Sequence, residues 1–284
     1  MMTRLAAIAR LMRTGLLWAV GPLDWVSRRC TGRSGLPPLW LRRHVGPVSQ
    51  FESAARDMEH LLQQLGLVAP AARVLEIGSG CGAMVPAFRR ALSAEGRYVG
   101  FDVHAPAVRW CQRRFREDGR FHFECADLAS PYGNPSSPVA VEQYRFPADD
   151  GSVDFVLAKS VFTHLLAPAA SHYLAEIRRT LRPEGRALVT TFLFAEGAHP
   201  PAFPHPEETS PVRWRRQDRK ESAVAYERTA FEQRIGAAGL RVETFVPGFW
   251  PGTNGVPTGQ DVLVLRRAPQ VDRPQGRPLP RVSH

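Results

Sequence analysis

The stretch from Arg73 to Gly82, RVLEIGSGCG, most constrains what this chain can fold into. An apolar run with one internal acid is followed by glycine at every second position. This pattern predicts a buried strand that ends in a tight turn. Residues 83–92 then have the apolar spacing of a helix. Glycine tolerates positive φ in such a turn, and the free N–H groups that begin a helix can bind a polar or anionic group.

The glycine turn fits two patterns of cofactor-binding protein. Gly78-x-Gly80-x-x-Ala83 satisfies the dinucleotide pattern G-x-G-x-x-G/A. Glu76-x-Gly78-x-Gly80-x-Gly82 resembles the first motif of class I S-adenosylmethionine-dependent methyltransferases. The glycine pattern alone leaves both interpretations open.

Acidic residues after the next two predicted strands favour the second interpretation. The strand from Gly96 ends at Asp102, where a βαβ unit delivers a carboxylate to ribose hydroxyls. The strand 121–125 is followed by Asp127. This acid resembles the methyltransferase residue that contacts the adenine amino group, and the dinucleotide fingerprint does not require it.

The rest of the chain extends the resemblance. The string Ser160–Leu165 after a fourth strand, and the turn Leu181–Arg186 before a fifth, are similar to small-molecule members of the family. Further predicted elements are strands 153–158, 187–194, 240–246 and 261–266 and helices 51–65, 105–115, 171–181 and 229–238, with loops at 130–151 and between 194 and 229. The resemblance implies an α/β fold with a seven-stranded, mostly parallel, doubly wound Rossmann-like sheet whose last strand is antiparallel. The predicted division is a basic N-terminal extension (1–50), a methyltransferase domain (51–267) and a disordered tail (268–284).

The resemblance also implies roles for individual residues. Glu76 would anchor the amino-acid end of the cofactor, directly or by holding the glycine loop. Asp102 would accept hydrogen bonds from the ribose hydroxyls, Asp127 from the adenine amino group, and Leu128 would supply an N–H to the ring. The predicted S-adenosylmethionine-binding residues are Glu76, Gly78, Ser79, Gly80, Gly82, Asp102, Val103, Asp127, Leu128, Lys159 and Ser160.

A hydroxyl acceptor would benefit from a base, and His164 is the nearest candidate. Its sequence context, Thr163-His164-Leu165, is equally compatible with a structural histidine that caps a helix. A substrate lid is expected between residues 194 and 214. Phe249 and Trp250 either line the acceptor pocket or close the edge of the sheet.

Composition limits other functions. The net charge is +10, and Met1 to Arg43 holds eight arginines and one acid, which is +7. The remainder is therefore near neutral, and a nucleic-acid-binding face is not expected. The four cysteines form neither a C-x-x-C pair nor a metal-ligand spacing, so we expect a reduced cytoplasmic protein with mostly buried thiols and no metal.

The first thirty residues contain an amphipathic pattern: Leu5, Ile8, Met12, Leu16 and Val20 share one helical face. The apolar run is shorter than the ~20 residues that span a membrane. Two interpretations remain, a helix that covers the catalytic domain and a basic helix on an anionic membrane surface. The first is the more common outcome for such a pattern.

The sequence therefore predicts methyl transfer from S-adenosylmethionine, preferentially to an oxygen of a small-molecule, glycan or lipid-linked acceptor. One alternative is an NAD(P)-dependent oxidoreductase, supported by Gly78, Gly80 and Ala83. Another is a non-catalytic module that keeps the fold and the cofactor pocket.

Overall fold

The organising strand is β1 (Arg73–Ile77), and four of its five residues are buried. The computed structural model describes residues 20–43, 48–207, 210–250 and 259–269. The strand ends where the sequence predicts, because the first glycine of the turn has φ +70°.

The described chain contains short helices around two sheets. The helices are α1 (20–30), α2 (Leu39–Arg42), α3 (Phe51–Gln64), α4 (Val85–Ala91), α5 (Ala105–Arg114), α6 (Ala167–Thr180) and α7 (Arg228–Ala237). The other strands are β2 (Arg97–Asp102), β3 (Phe121–Cys125), β4 (Val153–Ala158), β5 (Leu181–Thr191), β6 (Leu193–Phe194), β7 (His205–Glu207), β8 (Ser210–Trp214), β9 (Val224–Glu227), β10 (Leu240–Val246) and β11 (Asp261–Arg267).

The main sheet has seven strands in the order β10-β11-β5-β4-β1-β2-β3. Strands β1 to β5 run parallel, and β11 lies antiparallel between β5 and β10. The predicted doubly wound sheet with an antiparallel last strand is confirmed. The order of strand addition reverses between β1 and β4, so a crevice opens at the carboxyl ends of these two strands.

Helices cover both faces of this sheet. Val74 of β1 belongs to one apolar cluster with Met58 of α3 and Phe88 of α4. Its neighbour Leu75 belongs to the opposite cluster, with Phe231 of α7. Successive side chains of a strand point to opposite faces. A continuous apolar run is therefore what a parallel sheet covered on both sides requires.

A second sheet of four strands, in the order β6-β9-β8-β7, occupies the region predicted as a long loop. That prediction was wrong. Val212 and Trp214 of β8 are buried, whereas Arg213 between them is partly exposed. This is the period-two pattern of a strand, and the arginine-rich composition concealed it.

Two predicted element starts differ from the structure by four residues or more. Helix α6 begins at Ala167 instead of Ser171, because Pro168 is tolerated in the first turn of a helix. Strand β5 begins at Leu181 instead of Ala187. Residues 182–185 form an irregularity inside it, since Leu181 pairs with Val153 and the next pair joins Arg186 to Phe155.

Prolines and glycines explain the remaining helix ends. The one-turn helix α2 begins immediately after Pro38. Ser49 lies inside a 3-10 turn that precedes α3. The predicted ends of α3 and α7 are confirmed, because Gly66 and Gly239 have φ of +58° and +72°.

Parts of two predictions fall outside the described residues. These are the amphipathic pattern before residue 20 and the tail from residue 270. Among the helices that the structure describes, none is both long and apolar enough to cross a membrane. The prediction of mostly buried thiols holds for Cys81 and Cys111 but is wrong for Cys30 and Cys125, which are exposed.

Candidate functional site

The glycine turn after β1 depends on its glycines for conformation and for space. Gly78, Gly80 and Gly82 have φ of +70°, +53° and +78°. A Cβ atom at Gly78 would lie 2.7 Å from Cγ2 of Val161, closer than non-bonded carbon atoms approach. The turn therefore presents bare backbone to the crevice.

The second strand holds this turn in place. The N–H of Gly78 donates to the carbonyl oxygen of Phe101 in β2 at 2.9 Å. At the end of β2, Asp102 accepts from the N–H of Gly80 at 2.8 Å on Oδ2 and from the N–H of His104 at 2.7 Å on Oδ1. A carboxylate has about four lone-pair sites. Each oxygen of Asp102 therefore keeps acceptor capacity for a ligand hydroxyl.

A cavity of about 300 Å³ lies at the carboxyl ends of β1, β2 and β4. It brings together eight of the residues predicted from the sequence, which are Gly78, Gly80, Asp102, Val103, Leu128, Lys159, Ser160 and His164. Much of the remaining lining is apolar or aromatic, including Phe101, Val141, Leu166, Ala169 and Tyr173. The cavity can thus accept a ligand that is polar at one end and apolar at the other.

Glu76 lies outside this cavity. Its side chain is buried, and the hydroxyl of Tyr98 in β2 donates to Oε2. Burial raises the pKa of Glu76 to about 7, against the opposing effects of the Tyr98 hydrogen bond and the Lys159 charge. Its predicted role toward the amino-acid end of the cofactor stays a prediction.

Ser79, Gly82 and Asp127 also do not line the cavity. Ser79 is buried within the turn. Asp127 is exposed and accepts from Nδ2 of Asn134 at 2.9 Å, so its predicted contact with adenine remains untested. Leu128 lines the cavity, but its N–H donates to the carbonyl oxygen of Ala126 at 3.1 Å. In this conformation the Leu128 N–H is already used, so it is not available for the predicted hydrogen bond to adenine.

Lys159 and Ser160 follow β4 directly. Burial lowers the pKa of Lys159, while the negative charges of Glu76 and Asp57 act in the opposite direction. Ser160 is a non-glycine residue with positive φ, at 59°. Its N–H donates to Oγ1 of Thr190 at 2.8 Å, which holds this loop against β5.

His164 lies in the same cavity, and its ring is oriented by backbone. Nδ1 is 2.8 Å from the carbonyl oxygen of Glu221 and 3.1 Å from the hydroxyl oxygen of Tyr132. A carbonyl can only accept, so Nδ1 carries the proton and Nε2 keeps a lone pair. Burial is the largest cause that lowers the pKa of His164, and the charges of Arg219 and Arg215 add to it. The imidazole is therefore neutral at neutral pH.

His164 does not cap the following helix, which was the structural alternative. Helix α6 begins three residues later with Leu166 at its N-cap. The imidazole instead bonds to Glu221, which lies in the turn between β8 and β9. This arrangement favours a role at the cavity.

Three residues of the site were missed by the sequence analysis. Tyr132 packs edge-on against His164, with ring centroids 5.1 Å apart, and donates its hydroxyl to the Glu221 carbonyl at 2.9 Å. Glu221 contributes through its backbone, for which a sequence carries no signal. Leu41 lines the cavity from the N-terminal segment.

The fold and the site define a doubly wound α/β protein with a nucleoside-binding crevice at its topological switch point. Residues 75–189 match the family model described as "Methyltransferase domain". The match and the doubly wound sheet together support a class I S-adenosylmethionine-dependent methyltransferase domain that includes these residues. The match favours the methyltransferase over the dinucleotide interpretation of the glycine turn.

Two curated relatives match part of the chain. An uncharacterized 37.1 kDa protein in transposon TN4556 of Streptomyces fradiae is 28% identical over 136 residues, which are 48% of this chain and 34% of that protein. Squalestatin hexaketide synthase of Phoma sp. is 28% identical over 145 residues, 49% of this chain and 5% of that protein. The matched region thus spans about a third or less of these relatives.

Solved structures share the fold. The 1,6-didemethyltoxoflavin-N1-methyltransferase of Burkholderia thailandensis, with bound 1,6-didemethyltoxoflavin and S-adenosylhomocysteine, is 18% identical at a TM-score of 0.50, covering 89% of each chain. The mitomycin 7-O-methyltransferase MmcR is 16% identical at a TM-score of 0.50, covering 89% of this chain and 60% of that chain. At these identities the likeness is evidence for the fold.

The residues of the cavity fit S-adenosylmethionine, the cofactor of this domain. Asp102 can accept from its ribose hydroxyls, and the glycine turn leaves room where a Cβ at Gly78 would intrude. Lys159 is a cation in the same cavity and could pair with the carboxylate of the amino-acid end. Phe101, Val103 and Leu128 provide apolar surface for the flat ring.

Proposed function

We propose that this chain methylates a hydroxyl oxygen of a small molecule with S-adenosylmethionine as methyl donor, and that His164 is the general base. The observation that carries the proposal is the placement of His164, a neutral imidazole held by the Glu221 carbonyl in the same cavity as the glycine turn and Asp102. Because the curated relatives are matched over only part of their length, the activity of the whole chain belongs to this proposal.

In this reaction His164 accepts one proton. When bound, the cofactor supplies a methyl group with its own leaving group. Nε2 of His164 accepts the proton of the acceptor hydroxyl, which increases the nucleophilicity of that oxygen. The lowered pKa of His164 keeps this nitrogen unprotonated at neutral pH.

The lining favours an acceptor with an apolar, flat body. Tyr132, which packs against His164, lines the cavity together with Val141, Leu166 and Tyr173. A small-molecule acceptor also agrees with the two solved structures, which are a 1,6-didemethyltoxoflavin-N1-methyltransferase and a mitomycin 7-O-methyltransferase. The wider range predicted from the sequence, glycans and lipid-linked acceptors, gains no support from the described residues.

Calorimetric titration with S-adenosylhomocysteine, with NADH in parallel, tests the cofactor. We expect micromolar binding of the homocysteine compound and none of NADH. Asp102→Ala should weaken binding about 10-fold or more, because a charge-assisted hydrogen bond contributes roughly 1.5–3 kcal/mol. Binding of NADH in place of S-adenosylhomocysteine would refute the proposal.

Transfer of a radiolabelled methyl group to a panel of phenolic and hydroxylated heteroaromatic compounds tests the reaction. His164→Asn keeps an N–H donor for the Glu221 carbonyl but lacks the Nε2 lone pair. We expect this variant to bind S-adenosylhomocysteine normally and to transfer methyl groups about 10²-fold more slowly. Unchanged turnover in His164→Asn would exclude the general-base role.

A further inference from the structure

The N-terminal segment, defined as residues 20–43, reaches the cavity through one side chain. Leu41 is only 1% exposed and lines the cavity, as do Cys81 and Ala107. It also forms a small apolar cluster with Cys81 of the glycine turn and other buried residues. This segment lies outside residues 75–189, to which the family model corresponds.

A buried acid fixes the conformation of the segment. Asp24 of α1 accepts from Nε of Arg28 at 2.9 Å, from the N–H of Leu39 at 3.1 Å, and from Nη2 of Arg42. Its side chain is 9% exposed, so these charge-assisted bonds are little screened by water. Leu41 lies between the two residues of α2 that Asp24 holds, and its position is therefore determined.

Two contacts fasten the segment to the catalytic domain. The ring of Trp40 meets the ring of His104 edge-on, with centroids 6.5 Å apart. Nε of Arg114 in α5 donates to the carbonyl oxygen of Gly35 at 3.3 Å. The segment is thus attached beside the strand end that carries Asp102.

We propose that the N-terminal segment completes the cofactor site and that Leu41 contacts the nucleoside part of the cofactor. Leu41 packs with Cys81, which follows Gly80 in the glycine turn, and with Ala107 near the start of α5, which begins shortly after Asp102. Gly80 and Asp102 are the residues expected at the ribose. This inference rests on the proposed function, since it takes S-adenosylmethionine as the ligand. Asp24 is then a positioning residue, which acts on the site through α2.

Calorimetry on the full chain tests the contact with two ligands, S-adenosylhomocysteine and 5′-methylthioadenosine, which lacks the amino-acid end. Leu41→Ala should weaken both by the same factor, about five- to tenfold, because an apolar wall of the nucleoside pocket is removed. Leu23→Ala is the matched control, since Leu23 is on the same segment and 69% exposed. It should bind both ligands as the wild type does.

Further measurements separate binding from folding. Leu41→Met preserves volume and should bind within about twofold of the wild type if Leu41→Ala acts by lost contact. Hydrogen exchange of residues 20–43 should slow when S-adenosylhomocysteine is added, and Asp24→Asn should reduce this protection. A merely structural segment would show no ligand-dependent exchange.

Two results overturn the inference, and they differ in what else they refute. Normal binding of both ligands by Leu41→Ala, while Asp102→Ala has lost binding, removes the N-terminal segment from the site and leaves the proposed function intact. No binding of S-adenosylhomocysteine by the wild type refutes both together.

Discussion

At the scale of single residues, burial sets the chemistry of two titratable groups at the site. Glu76 lies inside the sheet, 2% exposed, and Tyr98 donates to its carboxyl group. His164 is oriented by a carbonyl, and burial lowers its pKa. Both groups are disfavoured in their charged form because little water solvates them.

Glu76 should make stability fall as pH rises. Its folded-state pKa is raised from 4.5 to about 7, so the folded protein holds this proton more tightly than the unfolded chain. The contribution is complete below about pH 4.5 and is lost as pH approaches about 7, a change of roughly 3 kcal/mol. Urea unfolding between about pH 5 and about pH 8 should show this dependence in the wild type and a flatter one in Glu76→Gln.

Glu59 provides the control for that series. Its carboxylate is paired with Arg90 near the surface, and its pKa is lowered. Glu59→Gln should therefore keep the fall in stability between about pH 5 and about pH 8. Equal pH profiles for the wild type and Glu76→Gln would contradict the assignment.

Arg219 should hold the pKa of His164 down. Its guanidinium lies 5.3 Å from the ring centroid of Tyr132, which packs against His164, and its charge disfavours the imidazolium. Histidine NMR titration should therefore show a higher pKa for His164 in Arg219→Ala. Arg216→Ala is the control, because Arg216 is exposed and paired with Asp218. A pKa that stays constant or falls in Arg219→Ala would refute this coupling.

At the scale of elements, one carboxylate at the start of β11 joins the two sheets. Asp261 is buried and accepts from the N–H of Leu193 at 2.7 Å, where β6 begins. It also accepts from the N–H of Gly248 at 2.9 Å and from Nε1 of Trp250 at 2.6 Å. Trp250 packs against Phe192 and is absent from the cavity lining. Its described contacts are thus with Asp261, at the start of an interior strand, and with Phe192.

Loss of this carboxylate should lower the stability of the folded protein. Asp261→Ala removes the shared acceptor of three N–H donors in a buried position, and we expect the unfolding free energy to drop by about 3–5 kcal/mol. Asp154→Ala is the comparison, because Asp154 accepts from the N–H of Arg73 and from Arg182 at a partly exposed site. Urea denaturation of both variants checks the difference. Equal losses would show that Asp261 has no special role.

At the scale of the whole molecule, the apolar core lies in the main sheet, whereas most of the net positive charge lies in residues 1–43. Both faces of the main sheet are apolar, and the strand ends carry the polar groups of the site. Of the net charge of +10, +7 falls on residues 1–43, which leaves +3 for the rest. The described part of the basic segment, residues 20–43, lines the cavity through Leu41, whereas most of the predicted amphipathic helix lies outside the described residues.

The sequence by itself determined the organising unit, which is β1 with its glycine turn, and the acid that ends β2. An apolar run ended by glycines defines a strand and its turn through local sterics, and Asp102 follows from the position of a strand end. These signals are local, since each depends on residues within a few positions of one another. The parallel sheet then brings the strand ends to one edge.

Only the tertiary structure decided what surrounds this unit. The bond from His164 to Glu221 joins residues 57 positions apart and ends on a backbone carbonyl, which no side-chain pattern reveals. Leu41 lines the cavity because Asp24 holds α2 in place. The second sheet is formed largely by an arginine-rich segment that we predicted to be a loop. Such contacts depend on the packing of segments that are distant in the sequence, so local sequence periodicity does not predict them.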